Sequence, residues 1–145
     1  GVTSGIAAPA YAGIPVTHRE FASSCAMITG HDQSIRKKSP SFWHSLVNTI
    51  DTIIFYMGVK SLPVICERLM RNGADPGQAV AVIEWGTTDQ QRTVSGTLDT
   101  IQQKVEAEQI SHPSIIIVGE VVRLREKMSW FQEKARIKEY AAQDR

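Results

Sequence analysis

The stretch Asp51–Gly58, DTIIFYMG, runs five apolar or aromatic residues together before it reaches a glycine. An amphipathic helix would interrupt such a run every third or fourth position, and a half-exposed strand every second. An unbroken run of this length fits a strand covered on both faces. Ser24–Gly30 (SCAMITG), Ala79–Gly86 (AVAVIEWG) and Pro113–Val122 (PSIIIVGEVV) repeat the pattern, the last running through its glycine. Gln91–Leu98 (QRTVSGTL) alternates instead, as a half-exposed or edge strand does. Helical patterns lie between them. Ser61–Gly73 has Ser61 to cap it, Pro63 in its first turn, a stripe of Leu62, Val64, Ile65 and Leu69, and Gly73 to close it. Thr97–Ile110 repeats the plan with Leu98, Ile101 and Val105. Strands alternating with helices predict a single layered α/β/α domain on a mixed sheet of about five strands. His31–Ser41 reads as a loop carrying Arg36, Lys37 and Lys38, and 128–145 reads as a charged C-terminal helix.

Bulk properties narrow the function. The 145 residues are 42% hydrophobic and 21% charged, as in an ordinary globular domain. A net charge of +1 gives no basic field for nucleic acid, and no apolar run is long enough to span a membrane. Cys25 and Cys66 lack CxxC spacing. That leaves a bridge between them open but favours two buried, reduced thiols in a cytoplasmic protein. No pair among His18, His31, His44 and His112 has the i, i+3 or i+4 spacing of a metal site, so no metal is expected. A chain that opens on Gly1 without methionine is expected to continue upstream.

Gly30, Gly58 and Gly86 each follow a strand. In open α/β sheets ligands bind just beyond the carboxyl ends of the strands, where backbone must approach closely. FYMG and IEWG are therefore candidate ligand edges, although a glycine there also serves a turn and nothing more. Near the N-terminus, Gly5, Ala8 and Ala12 recur at helical spacing and let a helix approach a neighbour closely, with Pro9 expected to kink or restart it. Thr3 and Ser4 stand where they can cap that helix.

The ordered set GVTSGIAAPAYAGIPVTHR, TGH, IIFYMG, VAVIEWGTTDQQRTVSGTL and PSIIIVGEVVRLREKMSWF, spread from Gly1 to Phe131, resembles the uroporphyrinogen-III C-methyltransferases of the tetrapyrrole methylase family. The resemblance implies the second of two α/β domains. Residues 1–20 would be the interdomain link and first helix, and the N-terminal domain with its catalytic aspartate, lysine and Gly-Gly-Asp loop would be absent. It further implies an S-adenosyl-L-methionine-dependent enzyme that methylates uroporphyrinogen III at carbons 2 and 7. Precorrin-2 results, on the way to sirohaem and cobalamin, with S-adenosyl-L-homocysteine as the second product; a cytoplasmic homodimer is expected.

By the same resemblance Thr3, Ser4, Met57 and Gly86 align with cofactor-contacting positions. A flexible thioether suits an adenine ring or an aliphatic chain. The acetate and propionate arms of the substrate call for cations, and His18, Arg19 and His31 form the candidate group, Arg19 with the forked geometry that carboxylates favour. Glu84 is an acid or base only on paper, because displacement at a sulfonium methyl needs alignment more than a base. No catalytic residue is assigned in this chain. Two other readings stand beside this one: a non-catalytic module for dimerisation or ligand binding, and a methyltransferase of the same fold acting on a later corrin intermediate.

Overall fold

In the computed structural model, which describes residues 1–133, the strands are β1 (Cys25–Thr29), β2 (Thr52–Tyr56), β3 (Ala79–Glu84), β4 (Arg92–Thr97) and β5 (Ser114–Val118). They form one mixed sheet in the order β1-β2-β5-β3-β4. Only β1 and β2 pair in parallel; β5 runs antiparallel to both β2 and β3, and β4 antiparallel to β3. The consequence for function is directional. β1, β2 and β3 all point the same way, so their carboxyl ends share one edge of the sheet.

The unbroken apolar runs are explained by what covers them. Ile53, Phe55, Val80, Val82, Ile116 and Val118 face a core built with α3 (Pro40–Thr49), α4 (Leu62–Arg71) and α5 (Ile101–Ala107). The alternate residues Ile54, Ala79, Ala81, Ile83, Ile115 and Ile117 face a second core built with α1 (Ser4–Tyr11) and the 3-10 turn Glu120–Leu124. Each fully buried aliphatic side chain contributes about 1.5–3 kcal/mol, and three central strands do so on both faces. The second core uses alanines on the sheet, and on the helix side Gly5 and Ala8 of α1 and Ala12 just past its end are buried. Small residues on the helix let it pack closely on β2 and β5.

Several expectations are corrected here. The strand expected through Gly119 stops at Val118, where Gly119 takes φ 149° and the 3-10 turn begins. His31–Ser41 is not a loop. It holds α2 (Asp32–Arg36) and the start of α3, which Ser39 caps through the Phe42 N–H at 3.2 Å, with Pro40 in the first turn. α3 then sinks Trp43 entirely, stacked on Phe55 at 6.3 Å. α1 is continuous through Pro9 rather than restarted by it. Ser61 precedes α4 without capping it through its side chain. β1 is an edge strand with alternate residues exposed, so Cys25 is exposed where burial was expected; Cys66 is buried and both thiols are free. Of the C-terminal helix expected over 128–145, the part over 134–145 lies outside the described residues; among the described ones Met128 ends α6 (Arg125–Met128) and 129–133 are irregular. No helix among the described residues is long and apolar enough to cross a membrane.

The free side of β4 is closed by side chains. The Thr93 N–H donates to Glu133 at 2.9 Å, the Thr97 N–H to Thr100 Oγ1 at 2.9 Å, and the Ser95 carbonyl accepts from Lys104 Nζ at 3.0 Å. At the opposite edge, the Asp51 carboxylate gathers the N–H and hydroxyl groups of Ser23 and Ser24 at 2.8–3.1 Å, fixing the entry to β1 against the entry to β2.

Two predictions come from these placements. Burial pushes the Cys66 thiol up to about 11, so at neutral pH a thiol reagent should modify Cys25 alone in the native protein and both cysteines after denaturation. The Ser23 N–H foremost, then the Ser24 and Ser23 hydroxyls, hold the Asp51 carboxyl below its ordinary value. A lowered folded pKa stabilises above the unfolded pKa and is lost as pH falls through the folded one. The melting temperature of Asp51→Asn should therefore lie below that of the parent at neutral pH, the gap closing as acid protonates the native carboxylate.

Candidate functional site

A cavity of about 680 Å³ opens at the edge where β1, β2 and β3 end. Met57 follows β2, Trp85 and Gly86 follow β3, and His31 follows β1 by two residues; all four line it. Ser4 and Ala8 of α1 form one wall, and His112–Ile115, entering β5, form another. Ala8, Ile83 and Ile115 make its buried surface apolar, with Ser4 and Thr88 hydroxyls and the His31 and Lys60 side chains among the polar groups. The volume lies in the ordinary range for a small organic ligand.

The backbone at this edge is strained. Met57 (φ 53°), Trp85 (φ 49°) and Thr87 (φ 71°) all occupy the left-handed region without being glycine. Each costs about 1–2 kcal/mol, and such residues cluster where a site needs them. Local bonds hold the latter two: Trp85 N–H donates to the Pro113 carbonyl at 3.0 Å, and Thr87 N–H to Gln91 Oε1 at 2.7 Å. Thr88 Oγ1 donates to the Trp85 carbonyl at 2.7 Å. Gln91, fully buried, passes the constraint on by donating to Glu133 at 3.0 Å. Glu133 meets Arg125 at 3.2 Å, and Arg125 donates to the Ala12 carbonyl of α1 at 2.6 Å. The result leaves the Met57 and Trp85 side chains 64% and 44% exposed beside the cavity rather than packed in the core.

α1 is seated on this edge by backbone contact. A Cβ on Gly86 would collide with the Cβ of Ala8, and one on Gly5 with the hydroxyl of Tyr56. The Thr3 side chain does not cap its own helix. Its hydroxyl bonds instead to the Tyr56 hydroxyl at 2.5 Å, and that phenol oxygen accepts the Gly5 N–H at 3.0 Å. Tyr56, a residue the sequence pattern does not single out, thus caps α1 from the end of β2 that packs under the helix. Ser4 is the first helical residue and lines the cavity, whereas Thr3 acts behind Tyr56.

The expected cation group is divided. His31 lines the same cavity as Ser4, Met57 and Gly86. His18 and Arg19 do not: they sit on a tight hairpin closed by the His18–Ala22 bridge. The His18 ring stacks on Phe21 at 5.1 Å, and its Nδ1 accepts the Glu20 N–H at 3.2 Å. Arg36 is paired with Asp32 at 2.7 Å and Lys38 lies over the Phe42 ring at 4.6 Å, so two of the three loop cations have local partners. Trp85 joins the lining beside Gly86, which the sequence marks, whereas Lys60 and His112 join it with no mark of their own in the sequence. Glu84 is buried and fully occupied by Arg92 and Ser111, which removes it as a free acid or base. No group of His, Cys, Asp and Glu able to hold a metal occurs among the described residues.

Comparison with known proteins gives one consistent answer. Residues 1–102 match the family described as Tetrapyrrole (Corrin/Porphyrin) Methylases. The uroporphyrinogen-III C-methyltransferase of Bacillus subtilis (strain 168) is 53% identical over 134 residues, covering 92% of this chain and 28% of that protein. Its counterpart from Priestia megaterium is 54% identical over 122 residues, 84% of this chain and 51% of that one. A crystal structure of uroporphyrin-III C-methyltransferase from Thermus thermophilus, complexed with S-adenosylhomocysteine, superimposes with TM-score 0.64 at 29% identity over 86% of this chain and 52% of that one. The chain thus spans about half, or less, of the length of these relatives.

The seating of α1 is testable by filling it. Gly86→Ala should destabilise the chain by about 1–3 kcal/mol, as overpacking does, read as a lower urea midpoint at unchanged slope. Ala8→Gly in the same chain should recover most of the loss, because the two sites share one contact.

Proposed function

The chain belongs to the tetrapyrrole (corrin/porphyrin) methylase family, and on that premise we propose that it is the second half of a uroporphyrinogen-III C-methyltransferase. The whole enzyme would methylate uroporphyrinogen III at carbons 2 and 7 to give precorrin-2, the step from which sirohaem and cobalamin are made. The observation that carries the reading is the cavity at the shared strand edge, lined at once by Ser4, Met57, Gly86 and His31.

S-adenosyl-L-methionine, the cofactor in this reading, would supply an electrophilic sulfonium methyl for transfer to a ring carbon, the CH3–S bond breaking as the C–C bond forms and S-adenosyl-L-homocysteine leaving. The chain's part is to bind and align. Gly86 against Ala8 leaves bare backbone at the floor of the cavity, where a flat heterocycle can reach peptide N–H and C=O groups. Met57 and Trp85, exposed by their left-handed backbone, offer a thioether and an indole face to an apolar ligand. Ser4 offers a hydroxyl, and Lys60 and His31 offer donors for carboxylates. His18 and Arg19, outside this cavity, would meet the propionate and acetate arms from the separate hairpin. Thr3 contributes through Tyr56. No residue of this chain is given the proton-handling role, which would fall to the preceding domain. The complete enzyme is proposed to be a cytoplasmic homodimer, with neither nucleic acid nor membrane as partner.

Calorimetric titration of S-adenosylhomocysteine tests this. The chain joined to its upstream domain should bind and transfer methyl groups; Gly86→Leu in that protein should abolish binding. The chain alone should show no transfer. Absence of binding by the longer protein would overturn the reading in favour of a non-catalytic module.

A further inference from the structure

We propose that Glu84 is a positioning residue, which sets the wall of the cavity from behind without touching its contents. Glu84 ends β3 and is 4% exposed, and it does not line the cavity. Its two oxygens divide their work. Oε1 accepts the Ser111 N–H at 2.7 Å and the Ser111 hydroxyl at 3.0 Å. Oε2 accepts both Arg92 Nε at 2.8 Å and Arg92 Nη2 at 2.5 Å. The remaining arm of Arg92 donates to the Glu108 carbonyl at 3.0 Å. One carboxylate therefore ties the end of β3, the start of β4 and the 108–111 turn into a single unit.

That unit ends where the cavity begins. His112 and Pro113, next after Ser111, line the cavity, and the Pro113 carbonyl receives the Trp85 N–H at 3.0 Å. The wall is thus held on one side by Glu84 and on the other by the strained residue directly following it. Net stability does not account for the arrangement, because a buried ion pair is often matched or bettered by apolar residues of similar volume. An apolar pair cannot accept the Ser111 N–H, however, so it cannot reproduce where the wall stands. Supports of this kind fix site geometry without meeting the ligand.

The experiment compares Glu84→Asp and the double variant E84M/R92M with the parent. It reads melting temperature and amide exchange at Trp85 in this chain, and S-adenosylhomocysteine affinity in the protein carrying the upstream domain. The double variant should melt near the parent while its Trp85 amide exchanges on the order of tenfold faster and its affinity falls on the order of tenfold, as for one lost buried bond. Glu84→Asp keeps the charge but is one methylene too short, and should rescue neither. If Trp85 exchange and affinity recover together with the melting temperature in the double variant, Glu84 is structural only and the proposal fails. The affinity arm rests on the cofactor reading above. Faster Trp85 exchange in the double variant, in a protein whose parent form binds no S-adenosylhomocysteine, would uphold the positioning role and overturn that reading instead.

Discussion

Ala8 of α1 and Gly86 after β3 touch backbone to side chain, with no room for another methyl group between them. Small residues on the helix itself, Gly5 and Ala8, let it come this near, and the Tyr56 hydroxyl fixes its first turn through Gly5 and Thr3. Were α1 a few ångströms further out, Ser4 and Ala8 would no longer wall the cavity and Tyr56 would have no helix end to cap. The C-terminal segment reinforces the same placement from the other end of the helix, where Arg125 and Trp130 donate to the Ala12 and Ala10 carbonyls. A helix with a proline inside it and few large apolar residues could not hold this position by propensity alone. Its neighbours hold it.

The strained turns at Met57 and Trp85 belong to the same construction. Both follow strands buried on both faces, whose ladders admit no slack. A chain leaving such a strand must turn at once to clear α1, and the left-handed conformation does so while turning a large side chain outward. Buried Gln91 and Glu84 then absorb the polar requirements of the two loops that meet there. The strain is local and its supports lie within the domain.

What the residues reveal by themselves follows the strength of the local pattern. Four apolar runs announced their strands, since nothing else accommodates Ile115, Ile116, Ile117 and Val118 in succession. An apolar run cannot show whether its strand has a neighbour on both sides, and Cys25 is exposed on the edge strand β1 although its run reads as covered. α3 hid behind a cluster of lysine, serine and proline, although Ser39-Pro40 is itself a helix start. Met57, Gly86, Ser4 and His31 line one cavity because each stands next to an element end that the local pattern marks. Tyr56, Lys60 and His112 were not legible, since their places depend on how distant segments meet. His18 and Arg19 failed to join His31 because a hairpin closed on itself between residues 18 and 22.

Along the free side of β4, Glu133, Lys104 and Thr100 occupy backbone groups that a neighbouring strand would otherwise claim. A second polypeptide laying itself along that margin would have to evict charged side chains from bonds they already satisfy, a standard defence against unwanted sheet growth. Among the described residues, the sheet is bounded on this side by side-chain bonds rather than by a covering strand or helix. Strand addition at β4 therefore carries the cost of the bonds that Thr93, Ser95 and Thr97 already make.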